Sequence, residues 1–314
     1  MEQALAIGVD IGGSYTKVAL VQQDGAILRT EQLPTGSHTG QAAYLNRLIG
    51  LLREMLAGSA GVKGIGLALP GLLTPDRHTI TFNPNTPGLV GIDFYELLEP
   101  LGCPLAFEQD LNVPALAEYH LGAARGSRRL MSASIGTGLG AAVILDNELL
   151  RFSGNTVGDS GHIILDPEGP TCPVGCHGCG EALISAAAIE RSALQRLDDP
   201  RSERLKAAMT GNSIAARDVI NACQDGDPLA VEIITDTGNW LGQWLASLAP
   251  IFIPDTIVLC GGISEAGEPL RTAAEQRFRS LAGPEYTQCE ISLGIFKGMA
   301  GVIGAAIPFL LEKE

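Results

Sequence analysis

One pattern, written twice, constrains this chain more than any other feature. Residues 5–30 read as strand, glycine turn, strand, polar turn, strand, a β-meander built around Ile11-Gly12-Gly13-Ser14. The same grammar returns at residues 130–151, with Gly136-Thr137-Gly138-Leu139-Gly140 as the glycine turn and Asp146-Asn147 as the polar one. An offset of about 120 residues lays Gly12 over Gly136. A repeat this long is not a solenoid unit, so each copy is expected to found its own lobe. Between and after the copies, helices are expected near 40–57, from 113, at 182–197 and 228–249, from 268 and from 299. Strands are expected near 63–69, 104–108 and 256–260, and a loop rich in Pro and Asn at 70–88. Strands alternating with helices imply an α/β chain with mainly parallel, covered sheets. At 314 residues the chain exceeds one ordinary core. The expected division is an N-terminal lobe at 1–115 and a C-terminal lobe at 116–299 carrying a Cys-rich loop. A last helix at about 300–314 packs back onto the first lobe, and a cleft lies between the two.

The formal charge is −14 at pH 7. Such a field repels polyanions, so nucleic acid is not an expected partner, and a phosphate-bearing substrate needs Mg²⁺ or backbone dipoles to enter. The first residues run straight into a strand, without a basic region or cleavage site. The longest apolar stretches, such as 244–253 with Pro250 inside, fall short of the ~20 residues that span a bilayer. A soluble, cytoplasmic protein is expected. Of seven Cys, three (Cys172, Cys176, Cys179) crowd into eight residues. In a reducing compartment such a cluster reads as metal-binding.

In Asp10-Ile11-Gly12-Gly13-Ser14-Tyr15-Thr16-Lys17 the glycines let the backbone bend and offer N–H groups to an anion, and hydroxyls add donors. Asp10, at the strand end, is placed to hold hydrated Mg²⁺. The turn at 136–140 is the second half of such a clamp, although each turn taken alone also reads as a tight hairpin. Asp110, in Glu108-Gln109-Asp110-Leu111-Asn112, follows a short apolar strand and precedes a helix. It suits a base that accepts a hydroxyl proton, and Asp110 or Asn112 equally suits a helix cap. His162, three cysteines and His177 offer the soft donors of tetrahedral Zn²⁺.

Together these segments resemble the ROK family of sugar kinases and repressors, in the superfamily of hexokinase and actin. The resemblance rests on residues 10–17, 64–71, 108–112, 135–144, 158–162, 172–181 and 258–264 in that order. It implies a two-lobed, actin-like ATPase (ribonuclease H-like) fold. It also implies ATP- and Mg²⁺-dependent phosphorylation of a hexose or N-acetylhexosamine, most often at the 6-hydroxyl, by in-line transfer with Asp110 as general base. The phosphate and nucleotide set it implies is Asp10, Gly12, Gly13, Ser14, Thr16, Lys17, Gly136, Thr137 and Gly138, with Gly261 and Gly262 beside the adenosine. The sugar set is Asn85, Gln109, Asp110, Asp159, His162 and Glu181. Gln109 and Asp159 depart from the family's usual Asn and Glu, so the sugar itself stays open, as does polyphosphate as a donor. The resemblance makes His162, Cys172 and Cys179 ligands of a structural Zn²⁺. The family's middle Cys falls at Val174, and this chain offers Cys176 two residues later, so either Cys176 completes the site or the metal site is weakened, with His177 a poorer candidate. A homodimer is implied as well. The alternative classes are a sugar-responsive ROK regulator and a sugar-binding module without kinase activity. ROK repressors carry a helix-turn-helix ahead of the first glycine turn, and nine residues precede Asp10 here, so a kinase is the expectation.

Overall fold

The structure, a computed structural model, describes residues 4–36, 40–153 and 155–311. Its strands are β1 (Leu5–Ile11), β2 (Tyr15–Gln22), β3 (Ile27–Pro34), β4 (Val62–Leu69), β5 (Leu72–Leu73), β6 (Ile80–Phe82), β7 (Leu105–Gln109), β8 (Arg129–Ile135), β9 (Leu139–Leu145), β10 (Glu148–Leu149), β11 (Thr256–Cys260) and β12 (Glu290–Leu293). Its α-helices are α1 (Gln41–Ala57), α2 (Phe94–Leu98), α3 (Asn112–His120), α4 (Gly180–Ile184), α5 (Ala186–Gln195), α6 (Glu203–Ala208), α7 (Ala216–Gln224), α8 (Pro228–Phe252), α9 (Glu268–Leu281) and α10 (Ala300–Leu310).

The sequence repeat is a repeat of topology. One five-stranded sheet runs β3-β2-β1-β4-β7 and the other β10-β9-β8-β11-β12. In both, an antiparallel meander is extended from its first strand by two parallel strands. Asp146 and Asn147 turn the second meander with φ of 48° and 70°, left-handed values that these short polar side chains tolerate.

The chain forms two compact units. Unit 1 comprises Met1–Gly126, Leu149–Gly158 and Met299–Glu314, and unit 2 comprises Ser127–Glu148 and Asp159–Gly298. The first division therefore falls after Gly126 and not after residue 115, because α3 packs on α10. A Cβ at Gly304 would lie 1.7 Å from the Val113 carbonyl oxygen, a distance only glycine permits. α10 seats as closely on the sheet of unit 1. Cβ atoms at Gly8 and Gly66 would fall 1.8 Å and 1.7 Å from the carbonyl oxygens of Val302 and Ala305. Residues 312–314, the expected end of this helix, lie outside the described residues.

The excursion at 149–158 joins unit 1 through two polar ties. Arg151 Nε donates to Glu108 at 2.8 Å, and Asn155 Oδ1 accepts from the Leu73 N–H at 2.8 Å. The loop at 70–88 holds the small β5–β6 hairpin, and the helix expected at 182–197 breaks at Ser185, whose ψ of 172° is extended. α2, α6, α7 and β12 were not expected.

Candidate functional site

In unit 1 the parallel register aligns Asp10 with Ala68 and Ala68 with Glu108, so Asp10 and Asp110 lie at the carboxyl ends of strands flanking β4. The Asp110 N–H donates to the Leu69 carbonyl at 3.0 Å, which extends the ladder by one residue. Both carboxyls are half-buried. Burial first, and the charge of Asp10 second, push Asp110 up to about 7, against the pull of the Leu111 N–H. Burial also raises Asp10, with Lys17 opposing. Two carboxyls that resist simultaneous ionisation form a donor set suited to a divalent cation. The start of α10 abuts this pair, and a Cβ at Gly301 would sit 2.3 Å from Asp10 Oδ2. The helix-cap alternative for Asp110 fails, because the cap position of α3 is Leu111 and no side chain caps it. Asn112 instead donates to Glu108 at 2.8 Å.

The turn between β1 and β2 is closed by the Gly12 N–H donating to Tyr15 O at 3.1 Å, and it leaves Gly13 and Ser14 exposed. Asn85 lies beside it, since a Cβ at Gly13 would sit 3.4 Å from the Asn85 Cβ. Lys17 pairs with Asp10 across the strands. Thr16 is a correction. It is fully buried, on the same face of β2 as Val18 and Leu20, and its hydroxyl meets Tyr44 at 2.7 Å and Thr35 at 3.1 Å. A residue so placed offers no donor to a phosphate in the turn.

Gln109 is buried, and its amide nitrogen donates to Gly71 O at 2.9 Å, leaving Oε1 as a buried acceptor without a partner in the structure. Beside it Glu108 is a buried carboxylate, held by Arg151 and Asn112 and approached by Arg77 at 3.8 Å. Sequence reading missed this cluster. Arg151 stands 43 residues from Glu108, and no local spacing announces the pair.

In unit 2 the turns at 136–138 and 261–262 are neighbours, at the carboxyl ends of parallel β8 and β11. Gly261 takes φ of 88°, and a Cβ there would meet Ile135 O at 2.4 Å. Ser264 Oγ donates to Gly261 O at 2.7 Å. Thr137 is exposed, and Gly136 O accepts from the Ala186 N–H at 2.9 Å, which ties the first turn to the start of α5. Glu181 reaches the same turn, accepting from the Leu139 N–H at 3.3 Å.

His162 sits in a short 3₁₀ turn, Ser160–His162, fixed by Trp244 Nε1 donating to Ser160 O at 2.8 Å. Its Nδ1 stands 3.7, 3.4 and 3.6 Å from the sulfurs of Cys172, Cys176 and Cys179. A tetrahedral Zn²⁺ with bonds near 2.0 Å to nitrogen and 2.3 Å to sulfur has N···S edges of about 3.6 Å, which the three His162–sulfur distances match, while the Cys172 and Cys176 sulfurs, 3.0 Å apart, stand closer than the S···S edge of about 3.8 Å. The four donors all lie within 4.8 Å of one another. Val174 is 63% exposed, and His177 lies outside the group with Nδ1 on Thr171 Oγ1 at 3.1 Å. The other ring nitrogen of His162 is 3.7 Å from Asp159 Oδ1. Unit 2 thus gathers Asp159, His162 and Glu181, and unit 1 holds Asn85, Gln109 and Asp110.

A model of the ROK family matches residues 6–312. The chain belongs to the ROK family. It is 31% identical over 319 aligned residues to a glucokinase of Streptomyces coelicolor, covering 96% of each chain. The crystal structure of a ROK glucokinase from Streptomyces griseus, in complex with glucose and AMPPNP, superposes with a TM-score of 0.85 at 28% identity, covering 98% of this chain and 99% of the other. The fold is therefore the α/β, actin-like sugar-kinase fold. The xylose repressor of Bacillus subtilis is also similar, at 26% identity over 98% of this ROK chain and 78% of the repressor.

Proposed function

We propose that this ROK protein is a sugar kinase that transfers the γ-phosphoryl group of ATP to a hydroxyl, the 6-hydroxyl, of a hexose or N-acetylhexosamine. The observation that carries the reading is the Asp10–Asp110 pair, two carboxyls at the ends of the strands that flank β4, with Asp110 pushed up to about 7. A base works best when its pKa lies near the working pH, since it is then ionised enough to accept a proton and basic enough to hold it. Asp110 takes the hydroxyl proton as the oxygen attacks phosphorus. Asp10, with Asp110 beside it, would hold Mg²⁺, which supplies charge neutralisation at the phosphates when bound. The turns at 12–14, 136–138 and 261–262 bind the nucleotide through backbone N–H groups, which suits a protein of net charge −14. Asn85, Gln109, Asp159, His162 and Glu181 divide the sugar hydroxyls among them. Gln109 brings an acceptor, because its amide nitrogen is committed to Gly71. A structural Zn²⁺ on His162, Cys172, Cys176 and Cys179 fixes the imidazole so that its second nitrogen faces the sugar, and pins the chain that leads to Glu181.

Similarity to glucokinases puts glucose first among the sugars to try. ATP as donor goes with a cytoplasmic location. The test is ADP release in a coupled assay over a panel of hexoses and N-acetylhexosamines. Sugar-dependent ADP release that disappears in Asp110→Asn supports the proposal. Sugar binding by the wild type with no ADP release from any sugar would replace it with a regulator or binding module, the reading to which the repressor similarity belongs.

A further inference from the structure

The glycine turn of unit 1 is held from behind by a chain of hydroxyls that the phosphate-binding reading alone does not require. Thr35 Oγ1 donates to the Gly12 carbonyl oxygen at 2.7 Å. Thr16 Oγ1 lies 3.1 Å from Thr35 Oγ1 and 2.7 Å from the Tyr44 hydroxyl. Thr16, Thr35 and Tyr44 are all 0% exposed. A carbonyl can only accept, so the single Thr35 proton is spent on Gly12. Thr35 must then accept from Thr16, and Thr16, its own proton spent, must accept from Tyr44. The direction is therefore unique along the whole chain, from Tyr44 on α1 through Thr16 on β2 and Thr35 just past β3 to Gly12. Hydrogen bonds aligned in this way polarise one another, and a buried gap in the series leaves polar groups unmatched.

The chain ends on one peptide plane. The Gly12 carbonyl and the Gly13 N–H belong to the same trans peptide and point in opposite directions. Drawing the carbonyl back toward Thr35 turns the N–H away from it, at a residue that is exposed. The Thr35 N–H also donates to Ser14 O at 2.9 Å, so two carbonyls of the turn are drawn to one residue. With no side chain at Gly12 or Gly13, nothing intrinsic to the turn selects this peptide orientation over the flipped one.

We infer that Tyr44, Thr16 and Thr35 are positioning residues for the nucleotide: their one-way hydroxyl chain locks the Gly12–Gly13 peptide with its N–H outward for a phosphate oxygen. The inference rests on the phosphate-binding reading of this turn. It is tested by titrating Mg²⁺–AMPPNP into wild type, Thr35→Val, Thr35→Ser and Tyr44→Phe by calorimetry, with KM for ATP and for the sugar measured on the same proteins. Thr35→Val is expected to weaken AMPPNP binding by about tenfold and to raise KM for ATP alike, and Tyr44→Phe by about threefold, as loss of one or part of a buried hydrogen-bond series implies. Thr35→Ser, which keeps the hydroxyl, should stay within about twofold of wild type, and KM for the sugar should hold in every variant.

Wild-type affinity in Thr35→Val, equal losses in Thr35→Val and Thr35→Ser, or a matching rise in the KM for sugar would overturn the inference while leaving the kinase reading standing. Absence of AMPPNP binding to the wild type would overturn the kinase reading itself and the inference with it. Should Thr35→Val fail to fold, Tyr44→Phe decides, and unchanged nucleotide affinity there counts against the chain.

Discussion

Asp110 is the residue on which the proposed chemistry turns, and its environment makes two separable demands. Replacing it with Asn keeps the shape and removes the base, so turnover should fall about a thousandfold while the dissociation constant for sugar changes little. Stability should move the other way. In the folded chain Asp110 is pushed up to about 7 from the ordinary 3.8, so between those values the folded state holds a proton that the unfolded state has released. Wild-type stability therefore declines as pH rises from about 4 to about 7 and levels above that. Asn does not titrate, so without Mg²⁺ the variant should be more stable at pH 8, by at most about 4 kcal/mol and less for a half-buried group, with the gain vanishing near pH 4. Urea unfolding at the two pH values reads this directly; equal stabilities at pH 8 would mean the carboxyl is not held up by its surroundings. Glu108, two residues from Asp110 in sequence, answers to a different rule. It is a buried anion whose charge is met by Arg151 at 2.7 Å. Arg151→Gln should cost about 2 kcal/mol because the carboxylate loses its counter-charge, and adding Glu108→Gln should restore part of it. A double variant no more stable than the single one would remove the pair from that role.

Among the elements, the loop from His162 to Glu181 carries the clearest consequence. With Cys176 in the group and His177 on Thr171, purified protein should contain about one Zn²⁺ per chain, Cys176→Ser should lose it, and His177→Ala should keep it. Metal analysis with full zinc in Cys176→Ser would transfer the fourth position to another donor. The same loop shows how much of the site could be read before the structure. The crowding of soft donors was plain, but which sulfur joins His162, Cys172 and Cys179 depended on how residues 172–179 curl. That path is set by contacts such as the Cys172 N–H on Cys176 O at 2.9 Å. Both meanders, β4, β11 and the long helices were legible because alternation, glycine turns and 3.6-residue periodicity are local signals. α6 and α7 are short and β12 has only four residues, so each owes its existence to what it packs against. Thr16 was misread although its signal was present. It shares the period-two face of Val18 and Leu20, and that alternation outranks its place in a glycine motif. The Glu108–Arg151 pair and the Tyr44–Thr16–Thr35 chain join distant segments, where no spacing rule reaches.

At the scale of the whole molecule, the decisive feature is that unit 1 is assembled from three separate stretches of chain, whereas unit 2 takes in neither terminus. α10 is buried along most of its length, and it covers β1 and β4 where Gly8 and Gly66 lack side chains of their own. Removing it would expose that bare sheet surface, the inner face of α3 and the carboxyl of Asp10 together. Burial of apolar area contributes about 25 cal/mol per Å², so an eleven-residue apolar helix stabilises its unit by an amount comparable with the net stability of a domain. A chain ending at Gly298 should therefore lose cooperative unfolding of unit 1 and all turnover. The metal cluster of unit 2 rests on β9, α4 and α8, none of which touches the deleted segment in sequence, so zinc content should persist. Calorimetry, zinc analysis and ADP release on the truncated chain test this together. Undiminished turnover and an unchanged melting profile after truncation would show that unit 1 closes without α10, against the close backbone approaches at Gly8, Gly66 and Gly304.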